Sequence, residues 1–225
     1  MTSAALGAGH DRGALRRTAS PDPGRGYAKG RAKREEILQA AIVLFGEVGF
    51  HAASLRELAS RVGMSHPGLL HHFPTKVALL EAVLDHRDAV DHADLEDDLA
   101  RGTDYVDALV RLVERNALRR HIVELFTALA AEATSPDHPA HEFFVRRYEW
   151  AVARTSEHLA RRARAGALRD GVDPSVAARQ IVALMDGLQV QWLLSLDRPR
   201  SERVDMAADL RAYLRLVLAE EAPAR

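Results

Sequence analysis

Residues 54–76 read SLRELASRVGMSHPGLLHHFPTK. Ser54 followed three places later by Glu57 has the form of a capping box, in which each side chain satisfies the other's unpaired backbone N–H. Leu55, Leu58, Ala59 and Val62 then recur at i, i+3, i+4 and i+7, one face of a short helix. Gly63 ends that helix after two turns, and Ser65 is the right residue to cap another. On the second helix Leu69 and Phe73 stand four apart and face inward. Pro74 interrupts it, and Thr75 caps a further helix on which Val77, Leu80 and Leu84 are expected to be buried. Two short helices joined by a tight glycine turn form a helix-turn-helix, motif 54–73, whose second helix is the reader.

Upstream, residues 29–48 carry Ile37, Ala41, Leu44, Phe45 and Val48 on one apolar stripe, and Gly49 is placed to stop the helix. Residues 1–28 mix Gly, Ser, Pro and Arg with no apolar core of a signal peptide. They are expected to be a disordered extension. Downstream, every segment again has a period near 3.6. Thr103 is expected to cap a helix with Tyr105, Leu109, Leu112 and Val113. Others carry Ile122, Leu125, Phe126 and Leu129, then Phe143, Phe144, Tyr148 and Val152 over about residues 141–165. Asp173 and Pro174 form an N-cap followed by Pro at the first helical position. A last helix carries Leu210, Tyr213, Leu214 and Val217. The acids between Glu81 and Asp107 read as a solvated face. With no strand alternation, the fold is predicted to be all-α: the extension 1–28, a helix-turn-helix domain over 29–76, and a helical domain over 77–220.

The 225 residues contain 31 Lys and Arg against 32 Asp and Glu, and no cysteine. Zero cysteine excludes disulfides, thiol catalysis and zinc–thiolate sites, and agrees with a reduced, cytoplasmic setting. No apolar run reaches the roughly 20 residues of a membrane span. A near-neutral chain does not announce a nucleic-acid partner, so the case rests on local charge. Between Arg25 and Lys76 stand eight bases, against four acids at Glu35, Glu36, Glu47 and Glu57. The motif is thus net positive, as phosphate contact requires.

Taken together, Phe45 to Gly49 (F-x-x-x-G), the Ser-led helix, G-x-S at Gly63 and Ser65, and H-F-x-x-K at His72, Phe73 and Lys76 resemble the TetR family of bacterial transcriptional regulators. The resemblance covers residues 30–85, about a quarter of the chain. It implies operator DNA as partner, with Ser54, His72 and Lys76 on the phosphate backbone. Ser65, His66, Gly68 and His71 would face the groove, and Phe73 the core. Where most of the family has Tyr, this chain has Leu70, which cannot donate a hydrogen bond and is left to meet a thymine methyl or to pack.

The same resemblance implies that the last two helices pair with those of a second copy. The sequence adds that the helix after Asp173 has two apolar stripes, Ala177, Ile181, Leu184, Leu188 and Val182, Met185, Gln189, Leu193. Such a helix sits at a subunit interface or in the middle of a protomer. Ile181, Met185, Leu210, Tyr213, Leu214 and Val217 are the candidate seam. A small-molecule effector pocket is sought among Phe126, Glu132, Phe143, Tyr148, Met185, Gln189 and Trp192, which mix apolar walls with a few polar groups. No cofactor or metal is expected. His138 and His141 do not complete H-E-x-x-H, because Val145 stands where the second His belongs. The glycines from Gly24 to Gly30 lack the strand and spacing of a phosphate loop. The reading that results is a homodimeric repressor released from its operator by a small molecule. A helical carrier or enzyme with a vestigial helix-turn-helix, or an adaptor acting through the acidic run, competes with it. Salt-dependent DNA binding separates the first from the others.

Overall fold

The computed structural model describes residues 23–219, and within them the chain is all-α. The helices are α1 (Pro23–Ala52), α2 (Leu55–Arg61), α3 (His66–His72), α4 (Lys76–Ala100), α5 (Tyr105–Ala117), α6 (Arg120–Glu132), α7 (His141–Arg164), α8 (Pro174–Ser195) and α9 (Met206–Val217). Residues 1–22 of the expected extension lie outside the described residues, while its last six are the opening turns of α1.

Local chemistry sets most of the boundaries. Gly49, at φ 76° and ψ 168°, breaks α1 into a long segment and a final turn. Ser65 Oγ accepts from Gly68 N, Thr75 Oγ1 from Ala78 N, and Asp173 from the amides of Ser175 and Val176. Two expectations differ. Ser54 Oγ accepts from Arg56 N, but Glu57 turns away from the cap and binds Arg61 instead, one turn along the helix. The cap of α5 is Asp104, whose carboxylate accepts from Val106 N, while Thr103 accepts from Arg111.

Two apolar clusters result. The first joins Ile37, Ala41, Leu44 and Phe45 of α1 to Leu58, Leu69, Phe73, the start of α4, and Leu125, Phe126 and Leu129 of α6. Gly46 allows this contact, since a Cβ there would lie 3.1 Å from Leu125 N and 3.2 Å from His121 O. The second cluster joins Leu95 of α4 to α5, α8 and α9. Helix α4 runs through both, with Leu79, Leu80, Val83 and Leu84 in the first and Leu95 in the second. Val48 and Val77 face outward, off the stripes on which they were expected.

Only part of the acidic run is the expected solvated face, with Glu81, Asp85, Asp97 and Asp107 exposed. Asp91 is buried against Arg87, 2.6 Å away. Asp98 is buried against Arg111 and Arg115, each at 2.8 Å, and Asp94 takes Arg119. Asp88 pairs with Arg147, and Glu96 with Arg154. These five acids are one half of an ion-pair lattice whose other half is arginines between α4 and α7.

Candidate DNA-binding and effector sites

At the motif, α3 is a two-turn helix anchored from below by Leu69 and Phe73. That anchoring turns Ser65 and His71 fully outward, and His66, Gly68, Leu70 and His72 partly so. Ser54 and Arg56 are exposed at the start of α2. Arg34 lies over the Phe73 ring at 4.3 Å, which adds a base beside the reader. Lys76 does something else. Its ammonium donates to the carbonyls of Phe50 (2.8 Å), His51 (3.0 Å) and Ala53 (3.0 Å) and lies over the Phe50 ring. These are orphan acceptors at the end of a helix. In the protein without DNA all three ammonium hydrogens are therefore engaged, and Lys76 clamps the α1–α2 connection rather than reaching outward.

Of the seven expected effector residues, Tyr148, Met185 and Gln189 line one cavity of about 90 Å³ among α4, α5, α7 and α8. Phe126 lines an adjoining hollow with Tyr148 and Gln189. The other three are elsewhere. Trp192 is buried in the second cluster, Phe143 packs against the first, and Glu132, at the end of α6, accepts from Phe50 N in the last turn of α1. Sequence reading missed the polar wall of this cavity: Arg87, Asp91, Asn116, Arg147 and Asp186, with Tyr105 and Trp150. Burial pushes the Arg87 guanidinium down to about 10 and raises the neighbouring Asp186 carboxyl and Tyr148 hydroxyl. Arg87 Nε and Asn116 Oδ1 are buried with no hydrogen-bond partner among the described residues. A signal existed, because Arg87 and Asp91 continue the stripe of Leu80 and Leu84 at i+7 and i+11.

The residues of the expected dimer seam differ in exposure. Ile181, Leu210, Leu214 and Val217 are at most 5% exposed inside a single protomer, where α8 and α9 close over α5. Met185 and Tyr213 are half-buried; Met185 faces the cavity, and Tyr213 donates to Gln180 at 2.6 Å. The uncovered apolar side chains of these helices are Val176, Val190, Leu194 and Leu216.

A third group is assembled by the fold alone. His51, Glu132 and His138 bring one ligand-type atom each to within 4.8 Å of one another. Phe50 N donates to Glu132 Oε2, and a Cβ at Gly49 would collide with Glu132 Oε1. Burial lowers His138 and keeps its ring neutral. His141 goes elsewhere, donating to the Ala133 carbonyl.

The model for bacterial regulatory proteins of the tetR family matches residues 37–83, and that for the C-terminal part of BetI-type transcriptional repressors matches residues 100–219. The chain belongs to the TetR family. It is a transcriptional regulator whose helix-turn-helix binds DNA. Among curated TetR relatives, RutR of Escherichia coli K12 is 45% identical over 53 residues, 24% of this chain and 25% of that one. The activator FasR of Mycolicibacterium smegmatis is 44% identical over 52 residues, 23% of this chain and 24% of that one. The chain thus spans about a quarter of the length of the curated relatives it matches, within the DNA-binding part. A Saccharomonospora viridis regulator solved in complex with choline superposes with a TM-score of 0.72 at 24% identity, covering 84% of this chain and all of that one. Salmonella enterica GusR follows with a TM-score of 0.64 at 27% identity, over 81% and 93%. The TetR fold accordingly extends through both clusters. No helix among the described residues is long and apolar enough to cross a membrane.

Proposed function

We propose that this TetR-family protein is a homodimeric repressor that leaves its operator when a small polar molecule enters the cavity among α4, α5, α7 and α8. The observation that carries the reading is the cavity wall, where Arg87 Nε and Asn116 Oδ1 are buried without partners. Each such group costs roughly 1–3 kcal/mol, so a ligand that supplies the missing partners is favoured. With Arg87 and Arg147 in the same wall as Asp91 and Asp186, the ligand that fits carries an anionic or mixed polar end. A simple cation such as the choline of the S. viridis structure faces two arginines here.

The cavity is smaller than the roughly 300–1,000 Å³ of ordinary ligand sites. A ligand must therefore part the helices around it, and α4 links that movement to the first cluster. The shift favours a spacing of the two reader helices that no longer matches successive major grooves, about 34–36 Å apart. On DNA, Ser65, His66, Gly68, Leu70 and His71 face the groove, while Ser54 and His72 meet phosphates. The second copy docks on α8 along Val176, Gln180, Ala183, Gly187, Val190 and Leu194. These recur at spacings of four and three, as in a coiled-coil seam. A Cβ at Gly187 would meet nothing within 4 Å, so a second helix has room to approach.

Footprinting of DNA flanking the protein's own gene is expected to show a protected inverted repeat. A compound found by thermal-shift screening should lift that protection, and Asn116→Leu should abolish its effect while leaving the footprint. A compound that binds tightly in the cavity yet leaves operator affinity unchanged would refute the proposal.

A further inference from the structure

We infer that His51, Glu132 and His138 form a binding site for a divalent late first-row metal ion of the zinc class, tying the end of α1 to the α6–α7 connection. The three residues come from separate elements: His51 from the last turn of α1, Glu132 from the last turn of α6, and His138 from the 133–140 connection. Two imidazoles and a carboxylate are the donor set of open, three-ligand zinc sites, in which water fills the fourth position. The ion preferred by such a nitrogen and oxygen set is a late divalent one rather than magnesium or calcium.

An independent observation points into the same space. His138 Nε2 is buried and without a hydrogen-bond partner, although the ring is otherwise held by Phe50 and His51, whose ring centroids are each 5.3 Å from its own. Nε2 stands 3.3 Å from Glu132 Oε2, out of line for a hydrogen bond. Glu132 is itself oriented by Phe50 N–H, the kind of outer contact that positions a metal-binding carboxylate. His51 is exposed, which gives the ion an entry path from solvent.

The site needs small adjustments. Ligand atoms around a tetrahedral ion with bonds of about 2.0–2.1 Å lie about 3.3 Å apart, so the trio must close by about an ångström or somewhat more. The exposed His51 ring can make most of that movement. His138 Nδ1 accepts from Ala140 N at 3.1 Å, which leaves the ring proton on Nε2. A metal on Nε2 moves that proton to Nδ1, and the Ala140 contact gives way. One backbone hydrogen bond, just before α7, is exchanged for the metal bond. The Lys76 ammonium, on the carbonyls of Phe50, His51 and Ala53, is a nearby positive charge that the Glu132 carboxylate offsets.

The inference does not depend on the effector cavity. It is tested by titrating Zn²⁺ into the chelator-treated full-length protein by calorimetry, with Co²⁺ as a visible probe. One Zn²⁺ per chain is expected, with a raised Tm and a Co²⁺ absorption band of tetrahedral intensity. His51→Ala, at an exposed position, should weaken Zn²⁺ binding by about tenfold or more, with an unchanged metal-free Tm. Glu132→Gln should do the same, and His121→Ala, on the exposed face of α6, should change nothing. Absence of saturable Zn²⁺ binding at micromolar concentration would overturn the site. So would equal affinity in His51→Ala, and the trio would then be a polar contact holding α1 against α6.

Discussion

Lys76 shows how a residue with a readable motif position acquires a different job from its surroundings. Its place in H-F-x-x-K points to phosphate, yet its ammonium closes three carbonyls 23 to 26 residues upstream. Hydrogen bonds to a charged donor contribute about 1.5–3 kcal/mol, less here because the side chain is half-exposed. Lys76→Met is therefore expected to destabilise the protein by about 1–2 kcal/mol, read as a lower urea midpoint with unchanged slope. A variant as stable as the parent would show that water replaces the ammonium, and would return Lys76 to the phosphate role. The caps at Ser65, Thr75 and Asp173 were legible because donor and acceptor lie within three residues. Lys76, and His138 with its partner His51, were not, because the atoms that define them are brought together only by the tertiary fold.

At the scale of helices, periodicity gave the order and nearly all the apolar faces, and failed on α4. Its acids were assigned to solvent because charge normally faces water. Yet Arg87, Asp91 and Asp98 lie in phase with Leu80, Leu84 and Leu95, on the buried side. Their partners on α5, α6 and α7 are invisible to a reading of one helix at a time. The consequence is a dependence on acid. The guanidinium groups of Arg115 and Arg111 hydrogen-bond Asp98 and hold its carboxyl below the usual carboxylate range. A carboxyl depressed on folding stabilises fully above its unfolded value, about 3.9, and that stability is lost as pH falls through the lower folded value. Asp98→Asn should therefore be less stable than the parent at pH 6, with the gap between their urea midpoints closing below about pH 4. A gap that stays constant from pH 6 to pH 3 would show that the carboxylate charge is not what joins α4 to α5.

In the dimer proposed above α8 has three neighbours to satisfy, and the sequence distinguished only two faces. Ala177, Ile181 and Leu188 close the protomer's second cluster, while Val182, Met185 and Gln189 line the cavity. What remains is the face through Val176, Ala183, Gly187, Val190 and Leu194, inconspicuous because two of its members are small and one position is Gln180. Small residues matter at such a seam, since they let two helices approach closely enough for Val190 and Leu194 to interlock. Leu216 of α9, at 67% exposure, is a further uncovered apolar side chain. Burial contributes roughly 25 cal/mol per Å², less the cost of association, and ion pairs at a rim add at most about 1 kcal/mol each. The dimer should thus survive high salt while DNA is released. Leu194→Asp and Leu214→Asp then separate the two possible seams. A charge at Leu194 meets water in the free protomer and is desolvated only on pairing. It should give folded monomers with an unaltered helical spectrum, lost two-site protection of DNA, and a concentration-independent Tm. A charge at Leu214, which is 5% exposed, is desolvated within the protomer and should lower Tm whatever the oligomeric state. Sedimentation of both variants at micromolar concentration decides the matter. A Leu194→Asp protein that remains dimeric would remove this face of α8 from the interface and leave the apolar side chain of Leu216 on α9 as the place to look next.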